Sequence, residues 1–174
     1  MGLKYEPSAS VTKTSATAPS VAVGSFVDSR GEPANWLGAI RGGFGNPLKN
    51  LESGLPVATL VQAAFADGLR ARGILPGSKG QQFQISGVIR KLDCNQYVRR
   101  EANVEIEVLV TDAQDGHQRF TRAYSSSNVE GSALALNVGV FASVDDLRAV
   151  TERTLREVVD KALDDTALRA ALKM

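Results

Sequence analysis

The sequence is short of several features that would identify a protein class. One cysteine among 174 residues excludes an internal disulfide and a metal site made of several cysteines. No run of about 18 apolar residues is present, so the sequence predicts no membrane-spanning helix. Neither sign of charge dominates, since the sequence has 20 Lys and Arg residues and 19 Asp and Glu residues. The whole-chain charge therefore gives no reason to expect nucleic acid or an anionic membrane as a partner.

The sequence also begins without a recognisable export signal. Met1 to Lys4 do not lead into an apolar segment, and Met1-Gly2 is typical of a recombinant start, so we expect an export signal to have been removed. Residues 3–20 are rich in Ser, Thr, Ala, Lys and Pro and carry little apolar surface to offset the entropy of ordering them. We therefore predict a flexible tether over residues 1–20 and a single domain over residues 21–174.

Apolar periodicity predicts six elements in this domain. A short strand begins at Val21 and is followed by a helix over residues 55–73 with the spacing of one buried face. Three strands follow, and the middle one shows strict alternation and ends at an Asp-Gly turn. The last helix begins at Ser143, a capping residue. The order β-α-β-β-β-α predicts an α+β fold, with a small antiparallel or mixed sheet of about four strands and two helices packed on one face.

Two segments fit no periodic element but contain apolar residues. Residues 29–54 hold six glycines and are predicted to form a long loop, a kind of segment that is often functional. Residues 132–143 are largely apolar and uncharged, which indicates either a short strand or turn over the sheet edge, or a surface for a partner, self-association or lipid. The predicted contact residues of the two segments are Trp36, Ile40, Phe44, Leu134, Leu136, Val138, Val140 and Phe141.

Motifs for catalysis or cofactor binding are weak. The glycine-rich stretch at residues 38–49 lacks the Gly-Lys-Ser/Thr ending of a phosphate-binding loop. His117 lies in a predicted turn, and Ser125 to Ser127 follow it, but no Gly-x-Ser-x-Gly elbow supports a Ser/His hydrolase. We predict no catalytic residue, no cofactor and no metal site.

Two other chemical groups have structural interpretations. Glu105 and Glu107 share one face of a predicted strand, where neighbouring arginines such as Arg90 are expected to neutralise them. Cys94 lies near the end of a strand pattern and is expected to be a partly buried, inert thiol.

Four short motifs can be compared with known families. They are Ala71-Arg72-Gly73 at the end of the first helix, Tyr124 to Ser127 at the end of the last strand, Asn128-Val129-Glu130-Gly131 after that strand, and Leu163-Asp164-Asp165 in the long terminal helix. Together they resemble the YajG-like family of bacterial lipoproteins, over roughly residues 21–168.

The resemblance implies an exported protein, lipidated on an N-terminal cysteine and anchored to the outer membrane, facing the periplasm or the cell surface. This sequence lacks that cysteine, and residues 3–20 are what should follow a lipid anchor. The predicted function is a non-enzymatic envelope lipoprotein, acting as a binding or accessory module with an envelope protein or lipid as partner. The alternatives are a carrier of lipid or another small hydrophobic ligand in a groove between helices and sheet and, more remotely, the hydrolase.

Overall fold

The computed structural model describes residues 1–8, 11, 13, 20–74, 80–131 and 143–174. Within this part of the chain, six strands form one mixed sheet, which two helices cover on one face. The strands are β1 (Val21–Asp28), β2 (Trp36–Arg41), β3 (Pro47–Glu52), β4 (Phe83–Gln96), β5 (Arg100–Asp112) and β6 (Gln118–Glu130). The helices are α1 (Val57–Ala71), α2 (Val144–Leu163) and α3 (Thr166–Ala171). The predicted α+β class is correct, but the sheet has more strands than predicted.

β4 is the central strand, and its length allows two strands to pair with the same edge. β1 runs parallel to its first half, and β2 runs parallel to its last three residues. Between these two stretches, Arg30 donates to the carbonyl oxygens of Trp36 at 2.8 Å and Leu92 at 2.9 Å, and pairs with Asp28 at 2.7 Å. The buried guanidinium therefore supplies hydrogen bonds where the edge of β4 passes from one parallel partner to the other.

β5 and β6 extend the sheet by antiparallel pairing. The alternation predicted in β5 is confirmed, because one face of the strand is buried throughout, at Ala102, Val104, Ile106, Val108 and Val110. β6 continues through Asn128 to Glu130, which pair with the first residues of β5. These three residues therefore belong to the strand, whereas the sequence placed them after it.

α2 begins at the predicted capping residue. The Ser143 hydroxyl accepts a hydrogen bond from the Asp146 amide at 3.2 Å, and the acidic first turn complements the helix dipole. The helix ends at Leu163, and Asp165 caps α3 by accepting from the Ala167 amide at 2.7 Å. The predicted single terminal helix is thus two helices, because Asp165 starts a new cap. None of the described helices is both long and apolar enough to cross a membrane.

The sequence predicts a long loop over residues 29–54, but this range contains the β2–β3 hairpin. Gly38 has a φ of +147° and lies against β4, where an added Cβ would stand 1.7 Å from the Cys94 carbonyl oxygen. Gly45, with a φ of +80°, lies in the turn between the two strands. The glycines that suggested a loop therefore allow a close approach between strands and a tight turn.

The first residues of the chain pack against the helices. Leu3 and Tyr5 are each 8% exposed, and the Tyr5 hydroxyl donates to Asp160 of α2 at 2.6 Å. The Lys4 amide donates to the Glu152 carboxylate, also of α2, at 3.0 Å. Residues 3 to 5 therefore differ from the predicted tether, because one leucine and one tyrosine find a complementary surface that composition does not reveal. Most of residues 9–19 lie outside the described part of the chain, so the tether prediction there is untested.

Candidate functional site

Two hairpin turns lie side by side at one end of the sheet. The turn between β2 and β3 carries Phe44, and the turn between β4 and β5 carries Tyr97 and Val98. The Tyr97 hydroxyl donates to the Gly43 carbonyl oxygen at 2.7 Å, which joins the two turns directly. We refer to Phe44, Leu48, Tyr97 and Val98 as the hairpin-tip surface.

The side chains of the hairpin-tip surface are exposed to solvent. The exposed fraction is 102% for Phe44, 64% for Leu48, 45% for Tyr97 and 40% for Val98. Single exposed apolar side chains are ordinary, but several on adjoining turns are a feature of contact surfaces. Burying a phenylalanine is worth about 1.5–3 kcal/mol, so a partner that covers Phe44 would gain that contribution.

Basic side chains accompany this apolar surface. Arg41 ends β2, Lys49 lies in β3, and Arg99 lies in the β4–β5 turn. No ion pair joins these three cations to an acid within the described residues. Arg41 and Arg99 line a cavity of about 500 Å³ together with Tyr97, Val98 and Glu101. Among the described residues that line this cavity, Glu101 is the acid, so the two arginines together with Lys49 of the same hairpin as Arg41 give this end a local positive charge.

The acids nearest this end on the helix side already have partners. Asp146, in the first turn of α2, pairs with Arg100 at 2.9 Å. Glu130, the last residue of β6, pairs with Arg153 at 2.6 Å. These carboxylates are neutralised locally, so they do not offset the cations beside the hairpin-tip surface.

The structure separates the predicted contact residues of the first segment. Phe44 is fully exposed at the hairpin tip, whereas Trp36 lies at the opposite end of β2. Trp36 lines a different cavity of about 390 Å³, together with Glu32, Lys91 and Asp93. Ile40 is 8% exposed and belongs to the hydrophobic core, so it is not available to a partner, contrary to the prediction.

The predicted contact residues of the second segment, Leu134, Leu136, Val138, Val140 and Phe141, lie outside the described residues and remain a prediction. Sequence reasoning missed Leu48, Tyr97 and Val98. The sequence did contain a signal for Tyr97 and Val98. They are adjacent apolar residues between two strands that pair with each other, so they lie in the connecting turn.

The geometry does not support a Ser/His hydrolase. His117 precedes the first residue of β6, and Ser125 to Ser127 lie in its second half. Eight residue steps along extended chain lead from His117 to Ser125, a distance of roughly 26 Å. Ser126 instead donates to Glu157 of α2 at 2.5 Å, and Ser127 donates to Asn103 at 2.8 Å. Ser126 therefore joins the sheet to α2 and Ser127 joins β6 to β5, so both hydroxyls have partners other than His117.

The strongly shifted titratable groups serve packing. Burial raises the pKa of the fully buried Cys94 thiol to about 11. Burial and the adjacent Asp160 carboxylate raise the pKa of Tyr5 to about 12. Both shifts favour the neutral form, which is the opposite of what a nucleophile or base requires. Among the described residues, no group of three or more His, Cys, Asp or Glu side chains could hold a metal ion.

The paired glutamates of β5 lie on the sheet face that the helices leave open. Arg90 pairs with Glu107 at 2.7 Å, as the sequence predicted, and this hydrogen bond lowers the pKa of Glu107. The Arg90–Glu107 ion pair is a cross-strand contact between β4 and β5, and it neutralises one of the two glutamates.

Side chains pack closely where α1 meets β1 and where α1 meets α2. Phe26 of β1 stacks on Phe65 of α1, with ring centroids 4.8 Å apart. α1 and α2 meet at Gly68, where an added Cβ would lie 2.6 Å from the Leu163 side chain and 2.9 Å from the Val159 side chain. Such close packing provides no support there for the predicted lipid-binding groove.

Comparison with protein families gives a match over nearly the whole sequence. A family model described as an uncharacterized lipoprotein matches residues 7–173. No curated protein matches the sequence significantly.

Solved structures share the fold at low sequence identity. A crystal structure of a protein from Xanthomonas campestris, of family DUF330, has a TM-score of 0.69 at 10% identity and covers 98% of this chain and 95% of its own. The crystal structure of an uncharacterized protein has a TM-score of 0.57 at 9% identity, and the match covers 92% of this chain and 96% of the other. A candidate lipoprotein from Caulobacter crescentus is 18% identical, with a TM-score of 0.48 and coverage of 67% and 83%. The first two establish a shared fold and carry no functional assignment.

Proposed function

We propose, on the ground that this chain belongs to the family of uncharacterized lipoproteins, that it is a non-enzymatic lipoprotein of the bacterial cell envelope. Its lipid anchor holds it at the outer membrane, as the YajG-like resemblance implies. It acts there as a binding or accessory module, and the hairpin-tip surface is its contact surface. One observation carries the binding role: exposed apolar side chains and unpaired cations are gathered at one end of the fold.

The contrast with the rest of the molecule supports this assignment. The strongly interacting polar groups elsewhere bind one another across the layers of the fold. Asp165, for example, caps α3 and also accepts hydrogen bonds from Arg122 at 2.5 Å and Tyr124 at 2.7 Å. Groups used in this way stabilise the fold and are not free for a ligand. At the hairpin tips, by contrast, Tyr97 and Arg41 bind only backbone carbonyl oxygens of the β2–β3 turn, and within the described residues no acid pairs with Arg41, Lys49 or Arg99.

The anchor is tested on the product of the natural gene in its own host. Mass spectrometry of the mature N-terminal peptide should show an acylated cysteine, and membrane fractionation should place the protein with the outer membrane. An unmodified N-terminus or a product in the soluble fraction would contradict the proposed anchor.

The contact surface is tested by photo-crosslinking in living cells. A photoreactive phenylalanine analogue at Phe44 should form adducts, because this side chain is fully exposed on the proposed surface. The same analogue at Gln114, exposed in the β5–β6 turn at the other end of β5, is the matched control and should form none. Equal adduct formation at the two positions would remove the reason for assigning the contact to this end.

The lipid-carrier alternative makes a different prediction. A carrier purified gently from its host should retain a stoichiometric lipid in native mass spectrometry, whereas the proposed binding module should give the mass of the protein alone. A retained lipid would favour the carrier over the binding module.

A further inference from the structure

The hairpin-tip surface combines two features that a lipid interface recognises. Three of its four apolar side chains, those of Phe44, Tyr97 and Val98, protrude from turns, and Phe44 is completely exposed. Side chains on protruding turns can enter the boundary between headgroups and acyl chains, while the strands behind them stay in water. A protein partner would have to provide a concave site for the same projection.

The cations are placed to complement anionic headgroups. Arg41, Lys49 and Arg99 lie on the two hairpins that carry the apolar side chains, and among the described residues Glu101 is the one acid lining the cavity between these hairpins. Cations beside an apolar surface bind lipid phosphates while the apolar groups insert. This local excess coexists with a whole-chain charge of only +1.

The two turns are held in a fixed relation. The hydrogen bond from Tyr97 to Gly43 links them at their tips, and Gly45, with a φ of +80°, shapes the turn that presents Phe44. Arg41 donates to the Gly45 carbonyl oxygen at 3.2 Å, which braces the same turn. A preformed surface loses less conformational entropy on binding than a loop that must order first.

From these observations we infer that the hairpin-tip surface docks on the surface of a membrane that contains anionic phospholipids. The inference rests on the proposed function, since a lipid anchor would keep the domain at a high effective concentration beside that membrane. The anchor confines the protein to the membrane, and the hairpin-tip surface sets which end of the domain faces it.

The test uses the 174-residue chain, produced without lipidation, and a fluorescent probe beside Phe44. Gly43→Cys places the probe where an added Cβ meets no atom within 4 Å, and Cys94 is buried and stays unlabelled. An environment-sensitive dye at position 43 should shift to shorter wavelength with vesicles of phosphatidylethanolamine and phosphatidylglycerol. It should shift much less with phosphatidylcholine vesicles or at high salt. A dye on Gln114→Cys should not shift with either vesicle.

Substitutions separate the two contributions to binding. Phe44→Ser should weaken binding to the anionic vesicles about tenfold. Replacing Lys49 and Arg99 together by Gln, which leaves the contact of Arg41 with the Gly45 carbonyl oxygen intact, should weaken it about thirtyfold and reduce its salt dependence. Leu55→Ser removes an apolar side chain that is 53% exposed outside this surface, and it should leave binding unchanged. Circular dichroism melting checks that each variant is folded.

Failure of this inference and failure of the proposed function give different results. No probe shift on the anionic vesicles, or binding that Phe44→Ser leaves unaltered, overturns membrane docking even if the native protein carries its lipid anchor. Protein adducts from position 44 in cells, without vesicle binding, would make the surface a protein interface and overturn the inference as well. An unmodified native N-terminus overturns the anchor, whatever the vesicles show.

Discussion

Arg72 joins the end of α1 to α2 and allows a quantitative test of how the helices are held together. Its guanidinium is completely buried and binds the Asp164 carboxylate through Nε at 2.8 Å and Nη2 at 2.6 Å. Nη2 also binds Asp160 at 3.0 Å, and Nη1 donates to the Gly68 carbonyl oxygen at 3.0 Å. Burial alone would lower the pKa of Arg72, but hydrogen bonds to Asp164, Tyr5 and Asp160 raise it above its ordinary value.

We expect Arg72→Met to lower the free energy of unfolding by about 3–5 kcal/mol, the usual cost of breaking a buried ion pair from one side. The main cause is Asp160, whose side chain is only 14% exposed and would lose its cation. Asp164 is 44% exposed, so water can replace part of its lost contact. Arg70→Met is the matched control, because Arg70 pairs with Asp67 near the same helix end while both side chains are about half exposed. Its effect should be at most about 1 kcal/mol.

Urea unfolding followed by circular dichroism measures both variants, with the m-value reporting whether unfolding stays two-state. A second substitution sharpens the test: Asp160→Asn in the Arg72→Met background should recover part of the loss, since it removes the uncompensated buried charge. Equal destabilisation by Arg70→Met and Arg72→Met would refute the reasoning, because burial is the property that distinguishes the two arginines.

Two further predictions concern the sheet and the pH dependence of stability. Gly38→Ala should destabilise the protein by about 3 kcal/mol or more in urea unfolding, because the alanine Cβ would clash with the Cys94 carbonyl oxygen and the backbone there has a positive φ. Gly54→Ala is the control. An added Cβ at Gly54 meets nothing within 4 Å, so this change should alter stability by less than about 1 kcal/mol. Burial raises the pKa of Tyr5 to about 12 from the ordinary value of 10.0. The neutral Tyr5 hydroxyl therefore stabilises the fold fully below pH 10.0, and this stabilisation is lost as the pH rises towards about 12. The loss should approach about 1.4 kcal/mol per pH unit, and Tyr5→Phe should make the slope shallower; an unchanged slope in alkaline unfolding would contradict this assignment.

Periodicity predicted the elements whose burial is one-sided. β5 alternates strictly because the helices cover one of its faces and the other face remains open, and α2 shows a core-facing stripe for the same reason. β2 has no such signature, since Leu37, Ala39 and Ile40 are all buried and Gly38 lies between them. A short strand with both faces covered cannot be distinguished from a loop by periodicity, and the glycines favoured the loop.

The candidate site was predicted only in part, because it is built from two hairpins that are distant in sequence. Phe44 was identified as an apolar residue in an irregular segment, but its neighbour Tyr97 follows β4, and only the folded chain brings the Tyr97 hydroxyl to Gly43. Their proximity depends on the parallel pairing of β2 with the end of β4. Parallel pairing between distant strands leaves no local mark in a sequence, in contrast to the Asp-Gly turn that joins β5 and β6.

The positions of the acids explain how one end of the fold can be positive although the net charge of the chain is near zero. Asp160 and Asp164 bind Arg72, and Asp165 binds Arg122, so carboxylates on the helix side are committed to arginines of that same layer or of β6. The cations at the hairpin tips have no such partners among the described residues. A balanced total therefore coexists with an uncompensated positive end. The composition argument against an anionic membrane holds for long-range attraction of the whole molecule, whereas docking of one end depends on charges within about one Debye length, roughly 8–10 Å.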